Sequence, residues 1–299
     1  MTELNSNKKC GFIGIIGRPN VGKSTLLNSI LQKKLVITSK KAQTTRHSIL
    51  GIKTNNNIQS IYVDTPGYRD ITKKALHRYL NKSASQTLSD VDILLWVIDA
   101  TKWNQDDEAV LKLIKHIEKP VILAVNKVDE VHPKEKLLPL LEKLHNKYDF
   151  IDVVPVSALK KHNILPLEKV IQNNLPEGKF MYDEDQLTDR GQDFIFSEMV
   201  REKLMRFLGQ EVPYSAAVQI EKIEDSEKLC KIHALIWVER EGLKAIVIGK
   251  NGEGLKRIGR EARLDLEEFL EKKVYLEVWV KVKEDWSDSD RMLQQFGYE

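Results

Sequence analysis

Apolar and polar positions follow two different rhythms along this chain. Between residues 11 and 176, short apolar runs alternate with amphipathic stretches at the spacing of βαβ units. The runs predict strands near 12–16, 48–54, 58–63, 92–98, 121–126 and 152–156. The 3.6-residue pattern predicts helices over 23–33, 72–88, 105–117, 133–146 and 161–174. The stretch 92–99 is the most apolar of the strands and is closed by an aspartate at each end. Lys53-Thr54-Asn55-Asn56-Asn57 reads as a hairpin turn, so the second and third strands are expected to be antiparallel neighbours. The sum is an α/β doubly wound sheet with one antiparallel edge strand.

After residue 191 the rhythm changes. A helix over 193–208 precedes strands at 214–224 and 229–239, a short helix at 242–247, a long amphipathic helix at 253–271 and a strand at 274–282. That α–β–β–α–α–β order predicts a smaller α+β domain. Leu175-Pro176-Glu177-Gly178 and the polar run 182–190 mark the boundary between the two rhythms. The expected organisation is a first domain over 1–178, a solvated linker over 179–192 and a second domain over 193–299.

The turn from the first strand into the first helix carries the sharpest chemical signal. Gly17-Arg18-Pro19-Asn20-Val21-Gly22-Lys23-Ser24, continued by Thr25, fits G-x-x-x-x-G-K-[ST]. Glycines there let backbone N–H groups converge on anionic oxygens at a helix N-terminus, as a nucleoside triphosphate requires. The third strand runs into Asp64-Thr65-Pro66-Gly67. Asp64 suits holding Mg²⁺ through a water, and the Gly67 N–H suits sensing a γ-phosphate. At the carboxyl end of the fifth strand, where open α/β sheets bind ligands, lies Asn126-Lys127-Val128-Asp129. An Asp129 carboxylate accepts from guanine N1–H and its 2-amino group; adenine lacks both donors and would leave the carboxylate desolvated and unpaired. Ser157-Ala158, after the sixth strand, adds a turn whose backbone N–H suits guanine O6. The base is guanine.

The second domain carries Ile248-Gly249-Lys250-Asn251-Gly252, a GXXG turn between two helices. Such a turn clamps a few nucleotides of single-stranded RNA, because glycines let the sugar-phosphate backbone approach. Lys256, Arg257, Arg260 and Arg263 follow; Lys256, Arg260 and Arg263 recur at helical spacing and should share a face. Residues 191–299 hold 18 Lys and Arg against 22 Asp and Glu, within a chain whose overall charge is +3. The second domain is therefore not a basic block that grips phosphate indiscriminately.

The remaining composition narrows the class. Two cysteines, Cys10 and Cys230, exclude a disulfide framework and suit a reducing cytosol. No apolar stretch approaches bilayer-spanning length, and the polar N-terminus is unlike a signal peptide.

With GRPNVGKS, Gln43-Thr44-Thr45-Arg46-His47, DTPGY, NKVD and IGKNG in this order, the chain resembles the Era family of bacterial GTPases over nearly its whole length. The resemblance implies a Ras-like GTPase domain joined to a type II KH domain, and a monomer that assists maturation of the small ribosomal subunit by gripping 16S rRNA near its 3′ end. It also implies a cytoplasmic protein with loose association at the inner membrane. Lys23 is implied to reach the β- and γ-phosphates, with Ser24 and Thr45 as Mg²⁺ ligands and Thr44 the alternative to Thr45. Lys23, Thr45 and Gly67 are then the catalytic groups. Tyr68 stands where Ras-like enzymes place a water-orienting glutamine, which implies slow hydrolysis. Asn20 matches related GTPases that bind K⁺ at this position. A tRNA-modifying GTPase is disfavoured because no cysteine follows Cys230. An RNA-binding module with a regulatory or vestigial nucleotide site is the remaining alternative.

Overall fold

A computed structural model of the protein describes residues 8–38, 49–65, 90–208, 216–284 and 286. Packing divides the chain into two units, Met1–Val36 with Thr45–Asp189, and Ile37–Thr44 with Arg190–Glu299. The helix expected at 72–88 lies outside the described residues.

The first unit is built on six strands: β1 (Lys9–Ile16), β2 (Ile49–Asn55), β3 (Ile58–Asp64), β4 (Ile93–Asp99), β5 (Val121–Asn126) and β6 (Asp152–Pro155). Their order in the sheet is β2-β3-β1-β4-β5-β6, parallel throughout except for the β2/β3 hairpin, which turns at Asn56 with φ 48°. Every residue of β4 and β5 is buried. That follows from their central parallel position, where helices cover both faces and a continuous apolar run is the stable pattern. Trp96 on β4 fills the core with edge-on contact to Trp103 at 5.7 Å.

The described helices are α1 (Lys23–Leu31), α2 (Gln105–Lys115), α3 (Leu137–His145) and α4 (Ile164–Asn174). Each is shorter than its apolar periodicity, for local reasons. α1 stops where Gln32 turns left-handed at φ 56°. α4 cannot start before 164 because Lys161 and Asn163 both have positive φ. α3 is preceded by a separate 3₁₀ turn, Lys134–Lys136.

The run expected to be a solvated linker is instead seated on the first unit. Buried Gln59 accepts from the N–H groups of Met181 (2.9 Å) and Tyr182 (3.1 Å) and donates to the Tyr182 carbonyl (2.9 Å). The Ile52 N–H of edge strand β2 donates to Leu187 O at 2.8 Å. An unpaired sheet edge needs covering, and this polar segment supplies the acceptors. The boundary by packing therefore falls at residues 189/190.

The second unit contains α5 (Gln192–Phe207), β7 (Ala216–Asp225), β8 (Leu229–Val238), α6 (Glu241–Ile248), α7 (Glu253–Leu270) and β9 (Lys273–Val282). The sheet order is β7-β8-β9, with β7/β8 antiparallel and β8/β9 parallel. Alternate positions, including Ile236, Val238, Val278 and Val280, pack against Leu204, Leu243, Val247 and Ile258 of the helices. The opposite face carries His233, Trp237, Tyr275 and Trp279, and is bare of helix among the described residues. No described helix is long and apolar enough to cross a membrane.

Candidate nucleotide site and RNA groove

The carboxyl ends of β1, β3, β4 and β5 bring the sequence motifs of the first unit together. The loop 17–22 leads into α1, whose N-terminus has no side-chain cap and no acid in its first turn. Its N–H groups are thus presented to an external anion in a field that favours negative charge. Gly22 sits at φ 98°, and a Cβ there would lie 2.4 Å from the Asn126 side-chain nitrogen, so only glycine fits.

Lys23 folds back over the loop, donating to the carbonyls of Gly17 (2.9 Å) and Arg18 (3.2 Å). Burial brings its pKa down to about 8, against the raising influence of Asp64. An arriving phosphate would reverse that shift, because it supplies the counter-charge the buried ammonium lacks. Ser24 Oγ donates to Asp64 Oδ2 at 3.0 Å, and Asp64 is fully buried. A hydroxyl and a carboxylate meeting beside the phosphate loop form a hard oxygen set of the kind Mg²⁺ takes in nucleotide sites. Thr65 Oγ1 donates to Ile15 O at 2.7 Å, pinning the end of β3 against β1. Pro66, Gly67, Tyr68 and Thr45 lie outside the described residues.

Asn126 joins three of the motifs. Its amide donates to Val21 O in the phosphate loop (2.8 Å), and its carbonyl accepts the Ala158 N–H (2.9 Å). The Ser157 N–H donates to His162 O at 3.1 Å, so the first two amides of this turn are engaged within the protein. Asp129 follows β5, half-buried in the 3₁₀ turn Val128–Glu130. Lys127 donates to Asp99 Oδ2 at 2.6 Å. Burial opposes the charge on Asp99, but hydrogen bonds from Lys127 and Thr101 prevail and hold its pKa below the ordinary carboxylate value.

Arg18 does something its motif does not announce. Its side chain is buried and turns from the loop to α2, donating to Asp107 Oδ2 (3.0 Å) and Lys102 O (3.0 Å), 3.8 Å from Asp99. Asp107 is fully buried and doubles as the third helical residue of a capping box with Asn104. The Asp107 pKa is raised by burial, and Arg18 and the Asn104 amide work against that rise. Arg18 therefore fastens the phosphate loop to the loop after β4 and is committed internally. The sequence signal was present as Asn104-x-x-Asp107, but that pattern shows only a cap.

In the second unit, α7 and edge strand β9 form a groove of about 400 Å³ lined by Gly252, Lys256, Gly259, Arg260, Arg263 and Val278, among others. Gly252 has φ 78°, and a Cβ there would meet nothing within 4 Å, so the turn leaves room for a backbone to pass. Asn251 is also left-handed, at φ 53°. Ile248 ends α6, and Gly249 and Lys250 open the turn. Lys256, Arg260 and Arg263 share the groove face, as their spacing predicts. Arg257 does not line it; its guanidinium pairs with Glu261 at 2.9 Å on the exposed side of α7.

Fold and site together define a P-loop GTPase carrying a KH domain. Residues 12–127 match the family model of the 50S ribosome-binding GTPases, and residues 211–287 match that of the KH domain. The chain is 53% identical to the GTPase Era of Marinobacter nauticus over 99% of both chains. Two solved structures superpose at TM-score 0.92 with 43% identity, over 97% of this chain and 99% of theirs. One is Era in complex with MgGDPNP and nucleotides 1506–1542 of 16S ribosomal RNA; the other is a variant of Aquifex aeolicus Era bound to GDP·AlF₄⁻. The chain belongs to the Era family of GTPases.

Proposed function

We propose that this GTPase is a nucleotide-controlled RNA clamp that binds 16S rRNA near its 3′ end and assists assembly of the small ribosomal subunit. The observation that carries the reading is the GXXG groove, open at Gly252 and lined by Lys256, Arg260 and Arg263, in a chain whose fold matches an Era–16S rRNA complex.

In this reading GTP lies along the carboxyl edge of the first sheet. The 17–22 loop and the α1 N–H groups hold the phosphates, and Asp129 reads guanine. Ser24, Asp64 and Thr45 would hold Mg²⁺, which supplies charge neutralisation on the phosphate oxygens. Lys23 places its ammonium where negative charge develops on the β–γ bridge, and the Gly67 N–H meets the γ-phosphate. Tyr68 has no amide to orient a water, so turnover is slow and rests on positioning and electrostatics. Arg18, locked to Asp107, is not available as an arginine finger. The exposed Asn20 carboxamide, at φ 66° in the phosphate loop, offers a hard oxygen for K⁺. Unchanged turnover when Na⁺ replaces K⁺ would remove that ion from the mechanism.

The two sites are coupled through the segment leading to Thr45. Ile37 and Thr38 group with the second unit, and Thr38 donates from N (3.0 Å) and Oγ1 (3.1 Å) to Glu202 on α5. GTP orders this segment and thereby biases the KH domain, and RNA biases nucleotide binding by the same factor, since coupling is reciprocal. The test is affinity for a single-stranded RNA matching the 16S 3′ end, with a non-hydrolysable GTP analogue and with GDP. A nucleotide-dependent affinity that disappears in Gly252→Asp is expected. Equal affinity in both nucleotide states would make the domains independent.

A further inference from the structure

We propose that the helix-free face of the second unit's sheet is another single-stranded RNA site, a stacking platform that takes the strand after it leaves the GXXG groove. This rests on the RNA-binding reading above and extends it to a surface that reading does not use.

The face is built by strand alternation. In β9, even-numbered positions from Val274 to Val282 turn toward the helices, so Tyr275, Glu277, Trp279 and Lys281 turn the other way. The parallel register sets Lys231 beside Tyr275, Leu235 beside Trp279 and Trp237 beside Lys281. Aromatic rings are costly to leave in water, yet Tyr275 is 50% exposed and Trp279 41% exposed. The His233 and Trp279 rings stack nearly parallel, with centroids 5.6 Å apart and an interplanar angle of 11°. Trp237 is held by its indole N–H on Gln219 Oε1 at 3.0 Å, with Lys281 over its ring. Aligned, half-exposed rings interleaved with lysines match the chemistry by which proteins stack successive unpaired bases.

Continuity with the groove identifies the occupant. Arg263 lines the groove and also a neighbouring cleft of about 740 Å³, which includes Lys231, His233, Lys273 and Tyr275. β9 is the edge strand, so a chain passing Arg263 can round that edge from the helical side to the open face. Charge on the face is nearly balanced: Glu277 lies 3.3 Å from His233, and Glu221 lies 3.8 Å from Lys281. The platform therefore binds through stacking more than through phosphate charge. A strongly anionic partner gripped by charge alone would not choose it.

The test uses the full chain and two RNAs, one of about a dozen unpaired nucleotides and a tetranucleotide that fills only a KH groove. Trp279→Ala should weaken the longer RNA about tenfold, the size of one lost base stack, and leave the tetranucleotide unchanged. Trp279→Phe should restore most of that loss, and Gly252→Asp should lose both RNAs. Indole emission from Trp279 should be quenched by the longer RNA alone, measured against the Trp279→Phe chain. Wild-type affinity for the longer RNA in Trp279→Ala would overturn the platform. If that variant instead lost only its hold on ribosomal subunits, the face would belong to a protein. Failure of the wild type to bind even the tetranucleotide would sink the groove reading itself, a different result from either.

Discussion

At the nucleotide edge of the first unit, the charged side chains are buried and committed to one another. Along the proposed RNA groove of the second, Lys256 and Arg260 stand exposed in solvent. Lys23, Arg18, Asp64 and Asp107 are each less than one-tenth exposed, and each is held by a partner within about one hydrogen-bond length. The difference follows from what each site must recognise. A triphosphate has one shape, and a preorganised low-dielectric pocket can hold it with charges worth far more than they are in water. An RNA strand is flexible and varied, and the proposed groove would meet it with an open channel of screened charges around a glycine turn. Burial makes the first site strong and brittle; exposure makes the second tolerant.

Four substitutions or titrations would break that contrast or sharpen it. The largest effect is expected from Lys23→Ala, which should lower multiple-turnover GTP hydrolysis by roughly a hundredfold or more, since the ammonium acts on developing charge. Phosphate release measures it, and residual turnover near wild type would support the vestigial-site alternative. Next comes Asp107→Ala, which leaves Arg18 buried and short of its carboxylate and removes half of a capping box. Breaking a buried pair costs about 3 kcal/mol, visible in denaturant unfolding of the first unit. A change below about 1 kcal/mol would mean that Asp99 and the Lys102 carbonyl already satisfy Arg18.

The third is a pH effect. Burial sets the Lys23 pKa at about 8, below the ordinary lysine value of 10.5, so that burial costs stability below about pH 8 and the cost fades as pH rises toward 10.5. Phosphates need the ammonium. GDP affinity should therefore be level below about pH 8 and fall above it, by up to about tenfold per pH unit. Calorimetry in buffers of different ionisation enthalpy should show proton uptake on binding above that pH, and a flat profile would contradict the burial argument. The smallest effect is expected from Lys256→Ala. It should weaken RNA only several-fold and reduce the slope of log affinity against log salt by about 0.7, one phosphate contact on a single strand. A loss as large as that of Lys23→Ala would show the groove to be as brittle as the nucleotide pocket.

The sequence by itself determined the two-domain plan, the six-strand sheet with its antiparallel hairpin, the α–β–β–α–α–β second unit and the positions of the phosphate, guanine and GXXG motifs. These are local properties: period, turn chemistry and spacing are written in contiguous residues. Helix ends were less legible, since Gln32, Lys161 and Asn163 adopt left-handed conformations that apolar periodicity does not register. Only the tertiary structure decided the long-range pairings. It tied Arg18 to Asp107, 89 positions away, and set the polar run 180–189 along the sheet as its edge cover. It turned Arg257 from the groove to Glu261, and placed Arg263 between the groove and the cleft leading to the aromatic face. A charged or polar side chain in sequence shows what it can bond to. Its choice of partner follows from which strands and loops the assembled sheet brings within reach, because burial leaves a charge no alternative to the partner beside it.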